Sequence, residues 1–173
     1  VSAFNGREDG TWDNGTAAYE KRGIAVNVPE WKIGNCIQCN QCAYVCPHAV
    51  IRPFLATEEE VAASGVEWKQ GLGETKEYKF RVQISPLDCT GCGNCVDVCP
   101  AKQKALVMRP LEEQLPQQKN WDYATSKIGY KQVVDKTKSV KNLQFEQPLF
   151  EFSGACAGCG ETPYIKAISQ LFG

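Results

Sequence analysis

Ten cysteines carry most of the chemistry open to this 173-residue chain. Eight fall into two runs of identical spacing, Cys36-x-x-Cys39-x-x-Cys42-x-x-x-Cys46-Pro47 and Cys89-x-x-Cys92-x-x-Cys95-x-x-x-Cys99-Pro100. Cysteines two residues apart rarely reach disulfide geometry with each other, and the spacing itself argues for metal. Three thiolates in series on a curling loop can face one 4Fe–4S cube, whose iron corners ask for four sulfurs. The fourth cysteine lies about one helical turn further on and points the other way, so each cube must take its last corner from the other run. The assignment is therefore crossed: Cys36, Cys39, Cys42 and Cys99 hold one cluster, and Cys89, Cys92, Cys95 and Cys46 hold the second.

The residues between the ligands suit that task. Gly91 and Gly93 let the backbone approach inorganic sulfide, where amide N–H groups stabilise the more negative reduced cluster. Gln38, Asn40, Gln41 and Asn94 add no carboxylate repulsion, and Pro47 and Pro100 stop helix continuation behind the fourth ligand. Zinc is the rival metal, although four-cysteine zinc sites usually pair two separate C-x-x-C knuckles. His48 follows Cys46-Pro47 and reads as a packing residue beside a cluster, with ligation as the alternative. Tyr44 and Trp31 read equally as cluster shields or as ordinary core. Cys156-Ala157-Gly158-Cys159 is different: two thiols in a glycine-dense turn could be a redox dithiol, inert thiols or half a metal site. The surrounding glycines favour half of a site completed elsewhere.

The elements that must position these thiols repeat. Ile24 to Trp31 reads as a short strand stopped by Pro29, and Ala49 to Phe54 as another beyond the first run. Tyr78 to Ile84 alternates at period two, and Ala105 to Arg109 forms a strand closed by Pro110. A strand, a cysteine run and a second strand thus occur twice, which predicts an α+β, ferredoxin-like domain with a pseudo-twofold repeat around two clusters. Its bounds are residues 24–116. The 42 residues between Cys46 and Cys89 leave room for an insertion, in which Thr57 and Glu60 form a capping box opening a helix over 58–63.

Residues 1–23 read as an irregular arm or linker. Residues 117–150 read as a linker, its lysine-rich 117–141 stretch a solvated connection, with an electropositive docking surface as the alternative. Thr162-Pro163 opens a last amphipathic helix carrying Tyr164, Ile165, Ile168, Leu171 and Phe172.

Nineteen Lys and Arg against twenty Asp and Glu leave a net charge of −1, which excludes a strongly basic nucleic-acid binder. No apolar run approaches the ~18 residues of a membrane span, and no signal peptide opens the chain. Neither nucleic acid nor membrane is an expected partner. The chain starts at Val1 and its only methionine is Met108, so it is expected to be an internal piece of a longer polypeptide.

Four strings resemble the pyruvate:ferredoxin (flavodoxin) oxidoreductase family, also called pyruvate synthase. They are Tyr19-Glu20-Lys21-Arg22-Gly23-Ile24-Ala25-Val26, the start of the first cysteine run, Cys46-Pro47-His48-Ala49-Val50-Ile51-Arg52-Pro53-Phe54, and Phe152 through Tyr164. The resemblance covers essentially the whole chain and one stretch of a much larger enzyme. It implies that thiamine diphosphate with Mg²⁺ decarboxylates pyruvate, that electrons pass singly along three 4Fe–4S clusters to ferredoxin or flavodoxin, and that acetyl-CoA forms. It further implies a homodimer, and residues 151–173 as the start of a thiamine-binding domain. A cytoplasmic location is expected because exposed clusters suffer oxidation, with organelle import left open. Cys156 and Cys159 would be two ligands of the third cluster, and Glu161 would serve the thiamine cofactor. The other two ligands, the Mg²⁺-diphosphate motif, the pyruvate pocket and the CoA site have no counterpart here. This chain alone is therefore not expected to turn over pyruvate. A stand-alone two-cluster ferredoxin carrier is the alternative, although such carriers usually bear a strong net charge for steering.

Overall fold

A computed structural model describes residues 2–11 and 20–173. Part of the expected arm, including Asn14-Gly15 and Tyr19, lies outside them.

Two small antiparallel sheets organise the molecule. In the first, β1 (Asn27–Trp31) pairs with β5 (Leu106–Pro110), Trp31 facing Leu106. In the second, β4 (Lys79–Ile84) lies between β2 (Ile51–Ala56) and the two-residue β3 (Lys69–Gln70), with Ile51 opposite Ile84. The strand before each cysteine run therefore pairs with the strand that follows the other run. Between them the runs carry short helices at matching positions, α1 (Gln41–Tyr44) and α3 (Asn94–Asp97). The result is a mixed α+β fold.

β1 continues through Pro29 instead of stopping there, and Pro53 stands inside β2. Each proline occupies a strand with a free edge, where its missing N–H costs no ladder bond.

Period two decides which core each strand face enters. Phe80, Val82 and Ile84 of β4, with Ile51 and Leu55 of β2, join Val28, Leu106 and Phe145 around the cysteines. The other face of β2 sends Phe54 and Ala56 into a second core with Trp68, Ala124 and Ile128. β2 is thus buried along its whole length.

The insertion supplies part of that second core. Its helix α2 (Glu58–Ser64) has the expected capping box: Glu60 N donates to Thr57 Oγ1 at 3.3 Å and Thr57 N donates to Glu60 Oε2 at 2.7 Å. Gly65 ends it in the left-handed conformation, at φ 67°.

The lysine-rich stretch is not a solvated connection. After α4 (Leu111–Gln114), α5 (Gln117–Tyr123) runs into a π-helical turn over Ala124–Ile128. Trp121, Ala124 and Ile128 are buried on one face, and the lysines occupy the rest. A short α6 (Val140–Leu143) follows, capped by Ser139.

The last helix, α7 (Thr162–Phe172), begins one residue before the expected point, with Glu161 at its N-cap. Its stripes are reversed relative to an ordinary surface helix. Thr162, Lys166 and Gln170 are buried, while Tyr164, Ile168 and Phe172 are 63%, 60% and 80% exposed.

Candidate metal centre

The cysteine runs fold as tight loops because the backbone enters the left-handed region twice in each. Gln38 and Asn40 have φ of 59°, and Gly91 and Gly93, at the same places in the second run, have φ of 72° and 81°. Side-chain bonds hold the two non-glycines there. Gln38 Nε2 donates to the Gln70 carbonyl at 2.7 Å, Leu72 N donates to Gln38 Oε1 at 3.1 Å, and Asn40 Nδ2 donates to the Lys141 carbonyl at 3.0 Å.

Those loops line two cavities. One is bounded by Cys36, Cys39, Cys42 and Cys99, with Trp31, Val82 and Leu106 among its apolar walls. The other is bounded by Cys46, Cys89, Cys92 and Cys95, with Val50, Ile51 and Met108. The fourth cysteine of each run thus stands in the cavity of the other. Backbone amides donate to one thiol from each end of each run: Gln38 N to Cys36, Val50 N to Cys46, Gly91 N to Cys89 and Ala105 N to Cys99, each at 3.4 Å.

The donor set fits an iron–sulfur cluster better than one ion. A single zinc needs its sulfurs gathered at about 2.3 Å around one point. Among the described residues no three His, Cys, Asp or Glu side chains stand close enough to share a single ion.

Burial governs the thiols. It pushes Cys42 and Cys95 well above the ordinary cysteine range and Cys89 up to about 12, each with cysteines of its own cavity as charged neighbours. All three are therefore neutral thiols near pH 7 without metal, and ligation must displace their protons.

Other singled-out residues take distinct places. Trp31 lines the first cavity and meets Phe80 edge-on, ring centroids 6.2 Å apart. Tyr44 is half-buried and lines neither cavity. His48 lines the second cavity, and burial lowers its pKa. Its carbonyl accepts from Phe152 N at 3.0 Å.

The C-terminal pair sits beside the second cavity. A methyl built on Gly158 would lie 3.6 Å from Cys92 Cβ, so the Cys156–Cys159 turn packs directly on the second run. Cys156 is exposed, and Cys159 is lowered below the usual thiol range by the amides of Thr162 and Glu161 at the start of α7. Glu161 is itself exposed.

Several residues outside the cysteine spacing tie this region together. Arg52 stacks over Trp121 at 4.8 Å and Phe152 at 5.5 Å, and donates to Tyr130 Oη and to Glu151. Lys21 pairs with Asp88, next to Cys89, and lies 5.0 Å over the Phe152 ring. Lys166, 2% exposed, donates to the carbonyls of Ala43, Tyr44 and Cys46. Burial pushes its ammonium down to about 8.

A mixed α+β fold with two small sheets and these cysteine loops is consistent with a ferredoxin-like iron–sulfur domain, and residues 35–103 match the family model described as a 4Fe-4S dicluster domain. Residues 1–25 match a model described only as a domain of unknown function. Beyond the domain, the entire chain is homologous to one stretch of pyruvate-flavodoxin and pyruvate:ferredoxin oxidoreductases. It is 57% identical over 175 residues to the pyruvate-flavodoxin oxidoreductase of Enterobacter agglomerans and 56% identical over 177 residues to the pyruvate:ferredoxin oxidoreductase of Moorella thermoacetica. Each alignment covers 100% of this chain and 15% of the relative. The mitochondrial pyruvate dehydrogenase [NADP(+)] of Euglena gracilis is 47% identical over 167 residues, covering 95% of this chain and 9% of that protein. Among the described residues no helix is long and apolar enough to cross a membrane.

Proposed function

We propose that this chain is the electron-relay segment of a 2-oxoacid oxidoreductase, carrying two 4Fe–4S clusters on a pseudo-twofold pair of cysteine runs. Cys36, Cys39, Cys42 and Cys99 hold one, and Cys46, Cys89, Cys92 and Cys95 hold the other. Cys156 and Cys159 give half of a third site, whose remaining ligands come from outside this chain. When bound, the clusters supply one-electron redox chemistry with little rearrangement.

The chain's own residues set the conditions for that chemistry. The four N–H···S contacts stabilise thiolate charge and favour the reduced state. Apolar walls from Trp31, Val82, Leu106, Val50 and Ile51 keep water off the sulfurs. The close approach of the Gly158 backbone to Cys92 keeps the third half-site next to the second cavity, the compact order an electron relay needs.

The parent reaction, on this reading, is the oxidative decarboxylation of pyruvate on thiamine diphosphate with Mg²⁺, giving acetyl-CoA and passing electrons to ferredoxin or flavodoxin. Glu161 would face the thiamine cofactor in the complete homodimeric enzyme. The rest of the polypeptide would cover the apolar stripe of α7. A free ferredoxin carrier fits less well, because the homology extends beyond the cysteine domain through both arms.

The observation that supports the reading most is the pair of cavities, each lined by three cysteines of one run and the fourth of the other. Iron and acid-labile sulfide analysis of anaerobically prepared protein tests it. About eight irons in this segment, with broad absorbance near ~400 nm, are expected; zinc or disulfides in their place would overturn it.

A further inference from the structure

The two short helices of the cysteine runs each end against a lysine. Lys166 Nζ donates to the carbonyls of Ala43, of Tyr44 at 3.0 Å and of Cys46 at 3.4 Å, closing α1. Lys104 Nζ donates to those of Asp97 at 3.0 Å and Cys99 at 2.8 Å, closing α3. A helix C-terminus attracts a cation, which accounts for both contacts. It does not account for the difference between them. Lys104 is exposed and comes from the loop just beyond its own run, whereas Lys166 is buried and reaches over from α7. A half-buried third lysine, Lys69, donates to the carbonyls of Ile33 and Cys36 beside the first cavity.

Burying an ammonium is costly, and once buried its field reaches its neighbours with little screening. The carbonyl of Cys46, whose thiol lines the second cavity, is one of its three acceptors. We propose that Lys166 is a potential-setting residue: its buried charge favours reduction of the cluster held by Cys46, Cys89, Cys92 and Cys95 more than exposed Lys104 favours reduction of the other. This rests on the two-cluster reading above. The step concerned is a one-electron reduction that adds one negative charge and no proton, the electron coming from dithionite in the experiment below. Because Lys166 belongs to the helix that follows the Cys156–Cys159 turn, the same contact fixes the third half-site against the cluster whose potential it sets.

The test is an EPR-monitored redox titration of the full-length, cluster-loaded protein, with the second cluster's signal assigned by its response to Cys46→Ser. Lys166→Gln is expected to shift that midpoint downward, Lys166→Arg to keep it near the wild-type value, and Lys104→Gln to produce a smaller shift in the other signal. Lys166→Met, of similar length without charge, must lower the same midpoint. Unmoved midpoints in Lys166→Gln, or an equal shift from Lys104→Gln, would leave Lys166 a helix cap and overturn the proposal. Loss of iron from both Lys166→Gln and Lys166→Met would do the same, by making it a structural anchor. A wild-type protein without two clusters would remove the relay reading itself, whereas two intact clusters with unmoved midpoints would remove only the role of Lys166.

Discussion

Gln38 holds, in the first cysteine run, the left-handed backbone conformation that Gly91 holds in the second, with φ of 59° and 72°. Both amides then donate to the first thiol of their own run, at the same 3.4 Å. One run meets the geometry with glycine. The other uses a buried glutamine whose side chain bonds to Gln70 and Leu72.

Gly91→Ala is therefore expected to be more damaging than Gly93→Ala. Both incur about 1–2 kcal/mol for a left-handed alanine. At Gly93 the new methyl meets open space, but at Gly91 it comes within 3.0 Å of the Asn27 carbonyl oxygen and 3.2 Å of Ala25 Cβ. That crowding adds roughly 1–3 kcal/mol. Anaerobic guanidinium unfolding of the two variants measures the difference, and equal midpoints would contradict it.

Cys46→Ala and Cys99→Ala should each damage the cluster held mainly by the other run. Cys99 shares its cavity with Cys36, Cys39 and Cys42, and Cys46 shares its cavity with Cys89, Cys92 and Cys95. EPR of the reduced variants, read with iron analysis, separates the two clusters. Loss of the same-run cluster in either variant would reverse the crossed assignment.

Thiol reactivity in the metal-free protein should split by environment. Burial keeps Cys42, Cys89 and Cys95 protonated near neutral pH, and a protonated thiol is a poor nucleophile. The exposed Cys156, and Cys159 with its lowered pKa, are expected to take up iodoacetamide first. Raising the pH toward 9 should narrow the gap only slightly, since Cys89 itself titrates at about 12. Peptide mapping by mass spectrometry reads the order. Early labelling of Cys42 or Cys95 would mean that the cavities open without metal.

The strand over 78–84 was legible because it expresses a local demand, period two for a half-buried strand, and the lining of each cavity follows from the fixed spacing of thiols facing one point. Pro29 looked like a strand breaker because a free edge is a property of the assembled sheet. Trp121, Ala124 and Ile128 fall at helical spacing, a signal hidden by the lysines between and around them. Lys166 was illegible for a different reason: its partners are carbonyls more than a hundred residues away, and backbone acceptors leave no mark on sequence. Periodicity also identified the two stripes of α7 without saying which one this chain would cover.

The apolar stripe of α7 leads to the last prediction. Tyr164, Ile168 and Phe172 stand in solvent while the polar stripe Thr162, Lys166 and Gln170 is buried. A contiguous apolar face on a helix normally marks a surface that another element covers. The isolated 173-residue chain should therefore bind the dye ANS and self-associate as its concentration rises. The double variant Ile168→Glu, Phe172→Glu should lose most of both effects without losing iron, because neither residue lines a cysteine cavity. Sedimentation velocity and ANS fluorescence measure the two effects. In the full-length protein the same substitutions should instead lower stability, since a carboxylate would be forced into a covered apolar contact. An unchanged unfolding midpoint there would show that this face stays open to solvent in the complete molecule.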